Sequence, residues 1–545
     1  MIFRAAVFAM GGSFVVLCLT SCPVIARSDV LGAGDVAQVE APAPSPAVGP
    51  PVSAEPPPRG SPVVRTRPVE ETTGALDDVA GAGAWPEPNA GDLSALQVDM
   101  RTPALDPDRA LVAIARETLV RAAPSFQARR IGYLRVGAVV QRSPEPVSVE
   151  GCADGWFSVA PRGYVCAGRA ATLDLGHPLV RLARRRPDRA QPLPYAYGRS
   201  RLPTPPLYDT VPTVEEQRSA EADLDRHRRF STEAAWAGIS LDETPTALES
   251  GLSGPGFGVL GRSVSARGPR AAIPDSGFAL LRVFAHDGRR FGLSTDFEVI
   301  PLDRLKPVVA SEFRGLALDD DVTLPVVFVR SHRARLYVRA DEGSPTPVRE
   351  ERPLHYREAL AVTGKRIRLR GVQYLETRDG KLIREENLVY VAAMRKRPGW
   401  ATPGRTWIDI SILKQVLVAY EGTKPVYVTL VSTGADGLGD PEETHSTVRG
   451  QFLIHTKHVT ATMSGDEPGD QFDLRDVPYV QYFTEGYALH AAYWHDAFGQ
   501  PRSHGCINLS PPDARWLFDW TDPPVPQGWH GAMSLREGTL VSVHP

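Results

Sequence analysis

His490-Ala-Ala-Tyr-Trp494-His-Asp-Ala-Phe-Gly-Gln-Pro-Arg-Ser503-His504-Gly505-Cys506-Ile507-Asn508 carries more chemistry than any other part of this chain. It holds a lone cysteine, Cys506, with a histidine two residues before it and another, His490, upstream at the end of the apolar run Tyr487-Ala-Leu489. A thiolate nucleophile needs a base to take its proton, and imidazole is the side chain suited to that near neutrality. The oxyanion that forms when a carbonyl is attacked needs donors. Gly505, beside the nucleophile, leaves the backbone N–H groups of Gly505 and Cys506 free to approach it. The segment therefore reads as a Cys–His acyl-transfer site. The competing reading of Cys506 is a buried structural cysteine, or one paired with Cys152 or Cys166; the neighbouring Gly505 and His504 speak against an apolar core.

Working outward, Val431-Ser-Thr-Gly434, Thr447-Val-Arg-Gly-Gln-Phe452 and Tyr482-Phe-Thr-Glu-Gly-Tyr-Ala-Leu-His490 precede the segment in that order. Together with Ser503–Asn508 they resemble the signature of the L,D-transpeptidases of the YkuD type, bacterial cell-wall enzymes, over residues 404–545. The resemblance implies a β-sandwich catalytic domain in which Cys506 is the nucleophile and His490 the general base. His490 would be oriented through the carbonyl of Ala491, and His504 would play a supporting role. Ser503 and Asn508 are expected to fix the loop by hydrogen bonds and to border the substrate; Tyr482 and Trp494 either line the donor site or pack in the core or at the surface. Asn508 stands where many members carry arginine. The implied reaction is attack on the bond before the terminal D-alanine of a stem tetrapeptide, followed by transfer of the acyl group to an amine. That amine is another stem's side chain (a 3→3 cross-link), a protein lysine or a free D-amino acid. The alternatives are a cysteine-dependent L,D-carboxypeptidase, a hydrolase of cross-links and, from another class, a non-catalytic wall-binding lipoprotein.

Short strands are expected through 404–545: Trp407–Tyr420 as a hairpin, then Val426–Val431, Gln451–Ile454, Val459–Met463, Val480–Thr484 and a closing Thr539–Val543. Ser510-Pro-Pro-Asp513 is a helix start with a cap and proline in the first turn, so the nucleophile sits in a loop just before a short helix. The fold class expected is mainly β.

The rest of the chain bounds this reading. At 545 residues it is too long for one ordinary domain. A net charge of −3 provides no global basic field, so nucleic acid is not an expected partner. The 48 glycines and 50 prolines are concentrated rather than spread. Residues 1–22 read as a secretory leader ending Leu19-Thr-Ser-Cys22, which resembles a lipobox. Lipidation of Cys22 would make the protein an exported, periplasmic, membrane-anchored lipoprotein, with the outer membrane favoured because Pro23 follows. An ordinary signal peptide and a spanning anchor are the alternatives. Residues 23–95 are a Pro/Ala-rich disordered tether. Residues 110–175 look like a bacterial SH3-like module, a wall-peptide binder or a spacer. Its Cys152 and Cys166 are expected to pair in an oxidising compartment, closing a loop worth roughly 3 kcal/mol.

Residues 177–275 are expected as a linker. It carries a capping box at Thr213-Val-Glu-Glu216, opening a segment to about Phe230 that is polar on every side and reads as a surface or bridging helix, its charge run as a solvated face. Its Gly256-Phe-Gly-Val-Leu-Gly261 matches the dinucleotide fingerprint only formally, without strand–turn–helix context. Residues 276–400 read as one or two small β modules with no catalytic constellation. His455, His458, His495 and His504 follow no zinc motif, and a metal would occupy the thiolate, so neither metal nor cofactor is expected. The expected partners are peptidoglycan stem peptides, a wall-attached protein as an acceptor, and the membrane through the lipid.

Overall fold

A computed structural model describes residues 106–545 apart from residues 184, 231–235, 237, 251–252, 255–257, 260–268, 340–345, 395 and 466–470. Cys22, the leader, the tether and parts of the Gly256–Gly261 stretch lie outside the described residues. The fold is mostly β, and alternating apolar positions explain why. In Thr406–Ser411, Trp407 faces one apolar cluster while Ile408 and Ile410 face another.

Two sheets enclose the core of the C-terminal region. One has six strands, in the order Leu316–Ala317, Lys424–Leu430, Val416–Glu421, Thr406–Ser411, Leu540–His544 and Gly450–Leu453. The other contains the long hairpin Thr456–Gly465/Phe472–Thr484, from which Tyr487–Ala491 and then Ile507–Leu509 branch. Ile408, Ile410, Leu417, Tyr479, Phe483, Leu489, Ile507, Val541 and Val543 fill the space between them. The helix Pro511–Trp520 packs Ala514, Leu517 and Phe518 into the same core. Ser510 accepts from Asp513 N–H (3.3 Å), the cap its sequence indicates. The other end is held by Lys457, fully buried, whose Nζ donates to the carbonyls of Phe518 and Thr521 (both 2.6 Å). Burial pushes that amine down to about 7.

The upstream segments are hydrogen-bonded into this sheet rather than strung along a tether. Arg130–Leu134 pairs with Gly531–Met533, and Gly277–His286 meets Phe472–Thr484. Asp476, fully buried, cements the junction: its carboxylate accepts from Thr460 Oγ1 (2.6 Å) and Thr295 Oγ1 and pairs with Arg135 (2.8 Å), three groups from three parts of the chain. In residues 106–175, Trp156–Ser158 and Tyr164–Cys166 form a hairpin, and a disulfide joins Cys152 to Cys166.

Two expectations need correcting. The 177–275 stretch is not simply a linker. Ala196–Ser200 is a strand between Gly277–His286 and Leu305–Pro307. The capping box at Thr213 is formed, but the helix Val214–Ala220 is not solvated all round. Gln217 and Glu221 are buried because two arginines of the next module need acceptors. Arg289 reaches Glu221 Oε1 (2.7 Å), Gln217 Oε1 (3.0 Å) and Asp303 Oδ1 (2.9 Å); Arg304 Nε reaches Glu221 Oε2 (2.9 Å). Polar residues whose partners lie elsewhere in the chain look solvent-facing in a periodicity reading. Secondly, residues 276–400 divide: Gly277–Pro307 belongs to the large sheet, and a separate seven-stranded sheet spans strands from Val326–Val329 to Leu388–Val391.

Glu221→Gln is expected to destabilise the protein by about 3–5 kcal/mol, since two buried guanidinium groups lose the carboxylate they share, Arg289 keeping Asp303 and Arg304 keeping Asp223. Urea unfolding followed by Trp fluorescence measures it. Burial raises the Glu221 carboxyl, but Arg289 and Arg304 outweigh burial and hold it below its ordinary value. The contribution is therefore present above the ordinary carboxylate range and lost as pH falls through the depressed value.

Candidate active site

Two parallel strands frame the candidate site: one carries His490, and the other begins directly after Cys506. Leu489 pairs with Ile507 and His490 with Asn508. Leu489 and Ile507 both point into the core. Successive side chains alternate, so His490 faces away from that core, and Cys506 lies in the bend immediately before Ile507. Tyr482, Trp494 and Cys506 pack against one apolar cluster that includes Ala488 and Tyr493.

His490 is buried, and its Nδ1 meets the Ala491 carbonyl at 3.2 Å. A carbonyl only accepts, so Nδ1 carries the proton and Nε2 keeps its lone pair for a substrate-side proton. Burial pushes this imidazole down to about 4, with the Ala491 carbonyl pulling the other way. Trp494 lies over it, ring centroids 5.7 Å apart. Cys506 is half-buried, its Sγ 3.5 Å from the Gly486 carbonyl. Burial pushes the thiol up to about 11. The resting pair is thus a neutral thiol and a neutral imidazole. At neutrality the site therefore holds no preformed thiolate.

The nucleophile loop is held from inside. Ser503 Oγ accepts from Gly505 N–H (3.1 Å) and donates to the Cys506 carbonyl. Thr447 Oγ1 donates to the Gly505 carbonyl (2.7 Å) and accepts from Gly434 N–H (2.8 Å). Thr447 and Gly434 had no role in the sequence reading, although they stand in two stretches quoted for the resemblance. Gly505 has φ +125°, and a Cβ there would lie 2.8 Å from the Tyr487 ring. Gly505→Ala should therefore cost roughly 1–3 kcal/mol of strain and displace the loop. The check is a lowered Tm together with a changed alkylation rate of Cys506.

The remaining sequence candidates are placed as follows. Ser503, within the loop, and Asn508, on the strand after it, are buried; the Asn508 amide meets His495 Nε2 at 2.9 Å. His504 is half-buried, its ring 4.6 Å from that of His445 and 4.8 Å from that of Phe472. Tyr482 lies edge-on to His458 at 5.6 Å. The Gly505 N–H, a sequence candidate for the oxyanion, is engaged by Ser503 in this conformation. The histidines weighed as metal ligands have separate partners: His458 Nδ1 meets Tyr133 Oη (2.9 Å), and His455 Nδ1 meets Thr456 Oγ1 (2.9 Å). A cavity of about 420 Å³ lies elsewhere, lined by Val139, Leu281 and Trp529 among others, and includes no residue of the His490–Asn508 segment. Chemistry rather than volume marks the site.

A neutral histidine oriented by a carbonyl, and a cysteine just before the neighbouring strand, are groups suited to thiol-dependent acyl transfer. Residues 405–543 match the YkuD family, described as the L,D-transpeptidase catalytic domain. The chain is 27% identical over 139 residues to the putative L,D-transpeptidase YciB of Bacillus subtilis (strain 168), covering 21% of this chain and 59% of that protein. It thus spans less than two thirds of the curated relative's length. Among solved structures, a crystal structure of an Enterococcus faecium L,D-transpeptidase mutant is similar at 22% identity, over 26% of this chain and 50% of that one, with a TM-score of 0.21. An L,D-transpeptidase from Mycobacterium smegmatis is similar at 17% identity, over 44% of this chain and 100% of that one, also with a TM-score of 0.21.

Proposed function

We propose that this chain is an exported peptidoglycan L,D-transpeptidase. The observation that supports the reading is His490 on a strand paired in parallel with the one that directly follows Cys506, with His490 Nδ1 against the Ala491 carbonyl. The family match over residues 405–543 supports the substrate class. Cys506 attacks the carbonyl carbon of the bond before the terminal D-alanine of a tetrapeptide stem as His490 Nε2 takes the thiol proton. The C–N bond breaks, that proton passes to the departing amine, and D-alanine leaves. The stem remains as a thioester on Cys506. An acceptor amine then attacks the thioester and gives a proton to His490. The C–S bond breaks and the returning proton restores the thiol. Lipidation at Cys22 would hold the enzyme at the membrane, with residues 110–175, read as SH3-like, facing the wall.

The test is mass spectrometry of the mature chain incubated with a disaccharide–tetrapeptide. Loss of D-alanine, a transient protein adduct and a cross-linked dimer are expected. Tripeptide without dimer makes the enzyme an L,D-carboxypeptidase. Unchanged substrate with no adduct sinks the acyl-transfer reading.

A further inference from the structure

The segment from Ala492 to Gln500 leaves the base-bearing strand and leads to the nucleophile loop. Its inner side touches the site. Trp494 covers His490, His495 meets Asn508, and Ser432 Oγ donates to the Ala497 carbonyl (3.1 Å). Its outer side is held by residues from outside the 404–545 region. Arg357 Nη1 donates to the Asp496 carbonyl (3.0 Å) and to Oδ1 (2.8 Å), and Nη2 donates to Oδ2 (2.7 Å). Ser311 Oγ bonds the same carboxylate (2.5 Å). Arg330 Nη2 donates to the Gly499 carbonyl (3.2 Å), and Gln500 Nε2 donates to Tyr356 Oη (3.3 Å). The Arg357 guanidinium also lies 4.8 Å from the Phe313 ring and 5.9 Å from Phe498, a fully buried residue of the same segment.

Two features separate this contact from an ordinary surface ion pair. The Arg357 side chain is only 11% exposed and forks onto one carboxylate, a geometry lysine does not reproduce. Its backbone has φ +65°, a conformation that costs a non-glycine residue energy and persists where surrounding contacts hold it.

We propose that Arg357 is a positioning residue for acyl transfer. Through it, the seven-stranded module grips the Asp496 turn and so sets His490, under Trp494, relative to Cys506. The module whose sequence carried no catalytic constellation thereby gains a role. The reaction named here rests on the transpeptidase reading above; the positioning role rests on the contacts alone.

The experiment compares the full chain with Arg357→Met, Asp496→Asn and the double variant. Met keeps apolar volume between Phe313 and Phe498 while removing the fork. Single-turnover acylation by the tetrapeptide is measured per Cys506 thiol titrated with iodoacetamide, with Tm recorded alongside. Either single variant is expected to lose about 10- to 100-fold in kcat with KM within about twofold, because the geometry of attack changes while the binding surface stays. The double variant is expected to be no worse than either single one, since both remove one contact. A wild-type rate, additive losses, or a loss that disappears when normalised to intact thiol overturns the proposal. Should Arg357→Met fail to fold, Asp496→Asn carries the test, its carboxylate being 56% exposed. Should the wild-type chain release no D-alanine, the function reading fails by itself. The clamp is then judged by the iodoacetamide alkylation rate of Cys506, which is expected to change at least about threefold in Arg357→Met; an unchanged rate overturns it.

Discussion

Cys506→Ala is expected to abolish D-alanine release and every covalent adduct, a loss of about 10⁴-fold or more, with the fold intact. The residue is half-buried, its Sγ lies 3.5 Å from the Gly486 carbonyl and it packs against the cluster of Ala488 and Tyr493, so the variant keeps Cβ and loses only the packing of one sulfur. Cys506→Ser should be nearly as inactive. A hydroxyl is a far weaker acid than a thiol, and a buried imidazole held near 4 is too weak a base to make up the difference. Electrospray mass spectrometry of each variant with the tetrapeptide checks both statements. An adduct that survives Cys506→Ala would move the nucleophile elsewhere and end the reading of this loop as the reaction centre.

The second large effect is a matter of pH. Because burial depresses His490 to about 4, protonation removes the base only as pH falls through that value, well below the ordinary histidine range. The acid limb of kcat/KM in the wild-type chain is therefore expected near pH 4. Because burial raises the Cys506 thiol to about 11, little thiolate exists at neutrality, and the proposed mechanism assigns proton removal during attack to His490. His490→Gln is expected to lower acylation at pH 7 by roughly 10²- to 10⁴-fold. What remains should rise about tenfold per pH unit toward about 11, as hydroxide supplies the thiolate that the imidazole no longer generates. A wild-type acid limb at 6.5, or a His490→Gln profile with the wild-type plateau, would contradict the neutral-pair account.

The sequence by itself determined the local chemistry. Ser503–Asn508 and His490 could be singled out because a cysteine, two histidines and a glycine lie within one short stretch. The helix at Pro511 was legible because its cap and prolines are adjacent residues. The hairpin between Thr406 and Glu421 followed from alternation alone. Thr447 and Gly434 were visible as a pattern but not as a mechanism. Their hydrogen bonds to the nucleophile loop depend on a turn closing across the sheet.

Only the tertiary structure decided how the modules join. Gln217 and Glu221 read as solvated because their partners, Arg289 and Arg304, come from another module. Asp476 is an ordinary acidic residue until Arg135, Thr295 and Thr460 converge on it. Arg357 and Asp496 carry no motif and are far apart in sequence. The fork between them exists because a seven-stranded sheet packs beside the segment that joins base to nucleophile. Hydrogen-bond partners and burial are set by which surfaces meet in space. A chain reading sees spacing, so it finds chemistry that is local and misses chemistry assembled from distant segments.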